Sequence, residues 1–105
     1  LAVGCTAVVK PADLTPGTTI RLAQMAQDAG LPEGVLNVVT GPGRVVGSRL
    51  AEHPDVDMIS FTGSTDVGRR VIDASKGNLK KVELELGGKN PQELPWSYAG
   101  IWVMP

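Results

Sequence analysis

Residues 58–68 read MISFTGSTDVG. A short apolar stretch, Met58 to Phe61, runs straight into two glycines, Gly63 and Gly68, placed around Ser64 and Thr65, and a helix-like stretch follows. A strand passing through a glycine turn into a helix is a common way to hold a phosphate, because backbone N–H groups and the helix N-terminus face the anion. Gly63 and Gly68 have the G-x-x-x-x-G spacing of a Walker A loop, but Arg69 and Arg70 follow where Lys and Ser/Thr are needed, which argues against a nucleoside-triphosphate hydrolase. The dinucleotide fingerprint G-x-G-x-x-G is also absent, since residue 65 is Thr. Spacing alone leaves two readings open: a phosphate turn, or a plain strand–turn–helix cap.

Working outward, Thr6 to Lys10 (TAVVK) is a short apolar, β-branched run and predicts a buried strand. Thr15-Pro16 supplies an N-cap and a proline at the first helical position. Ile20, Leu22, Ala23, Met25 and Ala26 follow at helical spacing up to Gly30 and Pro32. Val35 to Val39 predicts a second strand, and Gly41-Pro42-Gly43 turns the chain into a helical stretch from Val45 to Glu52. Met58 to Phe61 is the third strand. Ser64 or Thr65 caps a third helix reaching about Ala74. Val82, Leu84 and Leu86 then alternate with Glu83 and Glu85 as a fourth strand ending at Gly87-Gly88. This βαβαβαβ order predicts an α/β fold, a partial Rossmann-like parallel sheet with helices on both faces. Ligands on such sheets sit at the carboxyl ends of the strands, so Lys10 to Asp13, Gly41 to Gly43, Thr62 to Ser64 and Glu85 to Gly88 share the functional edge.

The final residues break the pattern. Trp96, Tyr98 and Trp102 crowd together among Pro91, Pro95 and Pro105, which predicts an irregular, aromatic-rich C-terminal tail.

Composition bounds the rest. The 105 residues suit one domain, and a net charge of −1 gives no electrostatic argument for nucleic acid or an anionic membrane surface. No apolar run approaches the roughly 20 residues needed to cross a bilayer. One cysteine precludes an intrachain disulfide framework and is compatible with a reducing compartment, so the default expectation is cytoplasmic. With no initiator Met and an opening that resembles a helix end closed by Gly4, the chain is expected to be a piece of something longer.

Lys10 at a strand end with Asp13 three residues on could hold ribose hydroxyls, or the KPAD segment could be an exposed turn. Glu85 could face a cleft, or share a solvated edge with Glu83. Cys5, among small residues and with no nearby His, suits a packed thiol better than a nucleophile. His53 suits a helix end, and no metal-ligand spacing is present.

Taken together and in order, the blocks GCTAVVKPADLTP (4–16), AGLPEGVLNVVTGPG (29–43), FTGSTDVG (61–68) and LELGGKNP (84–91) resemble the NAD(P)-binding domain of the aldehyde dehydrogenase family. The resemblance runs from residue 1 to about 91, leaving 92–105 as a tail unlike the family. It implies oxidation of an aldehyde to a carboxylic acid: a cysteine thiolate attacks the carbonyl, hydride passes to the nicotinamide, and activated water releases the thioester. It makes Glu85 the general base for that water. It places Thr62, Gly63, Ser64 and Gly68 at the cofactor's pyrophosphate turn, Lys10 and Asp13 at the ribose, Gly43 near the adenine, and the Leu86 backbone at the nicotinamide amide. An acid at position 13 would repel a 2′-phosphate, so NAD is expected over NADP. The implied partners are a small-molecule aldehyde and, for the whole protein, further copies of itself; nucleic acid and membrane are not expected.

The family's nucleophilic cysteine lies beyond the LELGGK block, past the last residue here, and Cys5 matches a buried non-nucleophilic position. The chain by itself is therefore expected not to turn over aldehyde. The tail, with its aromatic clustering and lost alternation, is expected to arise from a frameshift, a splice change or a misjoined gene. The alternative function is a non-catalytic truncated product that at most binds NAD or a partner.

Overall fold

A computed structural model describes residues 1–87 and the backbone of 99–104. Residues 88–91 of the LELGGKNP block, and 92–98 and 105 of the tail, lie outside the described residues. The chain runs β1 (Thr6–Lys10), α1 (Gly17–Asp28), β2 (Leu36–Val38), a π-helical turn (Gly43–Gly47), α2 (Ser48–Glu52), β3 (Met58–Gly63), α3 (Thr65–Ser75), β4 (Lys81–Leu86) and β5 (Ala99–Met104). The five strands form one sheet in the order β2-β1-β5-β3-β4.

The first four strands are parallel where they pair directly, β1 with β2 and β3 with β4. β5 is the departure from expectation. It lies antiparallel between β1 and β3, at the centre of the sheet, where an irregular tail is predicted. The prolines that suggest irregularity, Pro91, Pro95 and Pro105, fall outside the strand, and the intervening AGIWVM is rich in β-prone residues.

Alternation decides the two faces. Ile59 and Phe61 of β3 turn to the face that carries α2 and α3, forming a core with Ala51, Val56 and Val71. Val8, Val82, Leu84 and Leu86 pack against the same cluster. Ile59 and Val56 have no exposed surface at all, so their burial supplies about 1.5–3 kcal/mol each. The opposite face holds Leu36, against which the C-terminal end of α1 lies. Helices therefore do occupy both faces, although α1 has no buried residue and Leu22 and Met25 stay more than half exposed.

Four boundaries shift from the sequence reading, the first being β2, which keeps only Leu36–Val38 of the expected Val35 to Val39. Pro16, rather than Thr15, occupies the N-cap position of α1 and makes no side-chain cap bond. The second helical stretch opens two residues early as a widened turn, in which Val45 and Val46 both donate to the Pro42 carbonyl. β3 runs on to Gly63, two residues past Phe61. Ser64 caps α3, its hydroxyl accepting from the Val67 N–H at 3.4 Å. The 76–80 turn is tied back to the loop after α2: the Asn78 amide donates to the Pro54 and Val56 carbonyls. Buried Lys80 donates to the Ala51 and His53 carbonyls, closing the C-terminal end of α2.

Candidate functional site

The C-terminal ends of the parallel strands share one edge of the sheet, and a cavity of about 520 Å³ opens beside it on the α2/α3 face. One wall is β1's end with the π-helical turn, contributing Lys10, Asp13, Pro42 and Gly43. The other is β3 and α3, contributing Phe61, Val67, Arg70 and Val71, while Ala51 of α2 lines it from above. A slot with apolar walls and a polar end suits a flat ring system carrying a hydroxylated sugar.

Lys10 forms the polar end. Its side chain is fully buried, its stem passes 3.8 Å from the position a Cβ would take on Gly47, and its ammonium donates to the Pro11 carbonyl at 2.8 Å. The third feature of its environment is a 2.5 Å ion pair with Asp13. The second Asp13 oxygen accepts from the Gly43 N–H at 3.1 Å. Asp13 thus bridges the turn after β1 to the start of the π-helical turn. Its carboxyl is held below the ordinary carboxylate value, chiefly by the Lys10 hydrogen bond with help from Gly43, against an opposing effect of burial. Gly41 sets up this approach: its φ is +139°, and a Cβ there would sit 2.7 Å from a Val46 methyl.

Thr62 and Gly63 end β3 and Ser64 leads into α3; none of the three lines the cavity directly. At Gly63 a Cβ would lie 2.5 Å from the tip of the Phe61 ring, so the side chain that lines the cavity requires glycine two residues on. Ser64 spends its hydroxyl on the α3 cap, and its carbonyl accepts the Gly68 N–H at 2.9 Å. Gly68 itself is buried in the first turns of α3 against Leu86, with a Cβ position only 2.6 Å from a Leu86 methyl. The structure therefore gives Gly68 and the Leu86 side chain a helix-on-strand packing role.

Glu85 lies across the sheet from the cavity. It is exposed, and it is the register partner of Thr62, also exposed, on the face away from α3. The expected site residues accordingly fall into three groups: Lys10, Asp13 and Gly43 in contact; Gly63, Ser64, Gly68 and Leu86 at the base of α3; Thr62 and Glu85 on the far face. Sequence reasoning missed the cavity's apolar lining: Phe61 read only as the end of a strand, and Ala51, Val67 and Val71 only as parts of helical stretches. Arg44 and Arg70 at the cavity were missed too, having no motif to mark them. A second cavity of about 460 Å³ beside Ala26, Pro32 and Leu36 is lined by apolar side chains and brings no chemistry together. Among the described residues no group of His, Cys, Asp or Glu could hold a metal ion, and no helix is long and apolar enough to cross a membrane.

Comparison with known proteins places this geometry. Residues 1–93 match the model of the aldehyde dehydrogenase family. A betaine aldehyde dehydrogenase of Bacillus subtilis is 53% identical over 91 residues, which is 87% of this chain and 19% of that protein. Aldehyde dehydrogenase family 2 member C4 of Arabidopsis thaliana is 55% identical over 92 residues, 87% of this chain and 18% of that protein. Among solved structures, one of PnpE with nicotinamide adenine dinucleotide superposes with a TM-score of 0.77 at 53% identity, covering 79% of this chain and 17% of that one. A mutant aldehyde dehydrogenase C from Pseudomonas syringae, complexed with NAD+ and octanal, reaches 0.81 at 51% identity over 86% of this chain and 19% of that one. The chain spans about a fifth of the length of the curated relatives it matches.

Proposed function

This chain belongs to the aldehyde dehydrogenase family, and from that premise we propose that it is the cofactor-binding wall of an enzyme that oxidises an aldehyde to a carboxylic acid with NAD(P)+. The observation that carries the proposal is the cavity itself, with Lys10, Asp13 and Gly43 joined at one end and apolar walls beyond. The residues present fit the group. Val67, Val71 and Pro42 would flank the adenine, Asp13 with its partner Lys10 would hold the ribose hydroxyls, and Gly63 and Ser64 at the start of α3 would face the pyrophosphate. The negative charge of Asp13 favours NAD over its 2′-phosphorylated form.

When bound, the nicotinamide supplies a hydride acceptor. The chain's own residues do the rest. Thr62 and Gly63 end β3 between the cavity side and the far face, and a dinucleotide reaching past them would bring its nicotinamide toward Glu85, the register partner of Thr62. There the Glu85 carboxylate takes a proton from the water that releases the acid, a role worth roughly 10²–10⁴ in rate. The nucleophilic cysteine belongs to the remainder of the whole protein, as do the aldehyde pocket and the contacts between copies. A cytoplasmic location belongs to the same proposal. The second reading, a product that binds cofactor without turning it over, concerns the chain acting alone.

The test is a calorimetric titration of NAD into the chain, beside a Lys10→Ala/Ser64→Ala double variant. Saturable binding that the double variant loses upholds the cofactor wall. A folded chain that shows no saturable heat overturns it.

A further inference from the structure

We propose that β5 is the keystone of the cofactor groove and that Gly100 is the groove's floor, so that the chain's own C-terminal segment completes the site. The inference rests on the reading of the cavity as a dinucleotide groove. β1 and β3 are not register partners of each other: every ladder between the β1/β2 pair and the β3/β4 pair passes through β5. Yet the groove draws one wall from each pair, Lys10, Asp13 and Gly43 from the first, Phe61, Val67 and Arg70 from the second. Within the sheet, the separation and alignment of those walls is therefore set by β5.

Position 100 is the join. Gly100 is the register partner of Lys10 on one side and of Phe61 on the other, both of which line the cavity. With neighbouring strands about 4.8 Å apart, Lys10 and Phe61 are held roughly 10 Å apart across it. Register partners share a face of the sheet, so residue 100 belongs to the groove face. A residue without a side chain leaves that floor clear for a ligand.

The direction of β5 follows from where it starts. β4 ends at the C-terminal edge of the sheet, and β5 begins at the same edge, with Ala99 opposite Thr62. An antiparallel return needs no crossover to the far edge, and the connection has only two strand spacings, about 10 Å, to cover. β5 also lies wholly beyond residues 1–93, the part that matches the family, so this closure is a contribution of the tail.

Two variants of the full chain test the proposal, read by amide hydrogen exchange and by NAD titration. Ile101 is the register partner of Val9 and Ser60, and Ile101→Pro removes an N–H from the central ladder. It is expected to speed exchange across β1 and β3 by about tenfold or more, without any cofactor present. Unchanged exchange at both strands overturns the keystone role. Gly100→Val keeps the ladder, so exchange stays as in the unaltered chain, while the Kd for NAD rises about tenfold or more, as for a side chain forced into a fitted pocket. Unaltered affinity overturns the floor assignment. If the unaltered chain binds no NAD but Ile101→Pro still frees both strands, the cofactor reading falls and the keystone role stands.

Discussion

Gly68→Ala distinguishes two reasons for a glycine at the sixth position of GSTDVG. If Gly68 is needed for close approach of a phosphate, its Cβ should enter open space on the ligand side. In an exposed helix, alanine would then stabilise the chain by about 1 kcal/mol. The structure puts the new carbon elsewhere, 2.6 and 2.7 Å from the two methyls of Leu86 and 3.2 Å from its branching carbon. Carbon atoms rest at about 3.5–4.0 Å, so α3 and β4 would have to part by roughly 1 Å, or Leu86 change rotamer in a packed setting. Overpacking of this kind costs about 1–3 kcal/mol, which offsets or exceeds the gain in helix propensity. The net effect of Gly68→Ala alone therefore runs from neutral to about 2 kcal/mol destabilising, and the cycle with Leu86→Ala is the decisive quantity. With Leu86 cut back, the same Gly68→Ala change should show its full helical gain, giving a coupling energy of about 1–3 kcal/mol. Urea denaturation followed by circular dichroism on the four proteins measures it. Additivity within about 0.5 kcal/mol would refute the packing role of Gly68.

Three further outcomes follow from the same structure. Ser64→Ala removes the α3 cap and should cost about 0.5–2 kcal/mol of unfolding free energy in the same assay. Asp13, with its pKa lowered by Lys10 and Gly43, contributes stability that is complete above the unfolded carboxylate value of about 3.9 and is lost as pH falls through the lower folded value; an Asp13→Asn variant should lack that acid-side component in a series of melts from neutral pH downward. Lys80→Met leaves the Ala51 and His53 carbonyls without their donor, at a net cost of about 1–3 kcal/mol. Burial lowers the Lys80 pKa against an opposing effect of Asp57, so the unfolded chain binds more protons there; the residue's contribution therefore rises as pH climbs toward the unfolded value near about 10.4, and the Met variant should lose that slope.

The parallel architecture was legible because local and global signals agree in it. The β-branched run at Thr6–Lys10 is a strand, and Val82, Leu84 and Leu86 do face the core while Glu83 and Glu85 face out. Ser64 caps the helix it announces. The pairing of Lys10 with Asp13 could be suspected from three-residue spacing, and strand order put Gly41 to Gly43 on the same edge, but that the Gly43 N–H donates to Asp13, thirty residues away, emerges only from the parallel pairing of β1 and β2. Phe61 and Ala51 were not marked as site residues because a groove wall and a core face have the same composition; which one a residue becomes depends on what stands opposite, and that is a matter of tertiary spacing. The tail shows the same limit more sharply. Proline count and aromatic clustering describe 92–105 as a whole, whereas pairing needs only six consecutive residues with free N–H groups and an open slot to enter. β1 and β3 each present a row of backbone donors and acceptors that must be satisfied once buried. A segment with AGIWVM at its end satisfies both rows at once, which is why a stretch that breaks the family's pattern can still sit at the centre of the sheet.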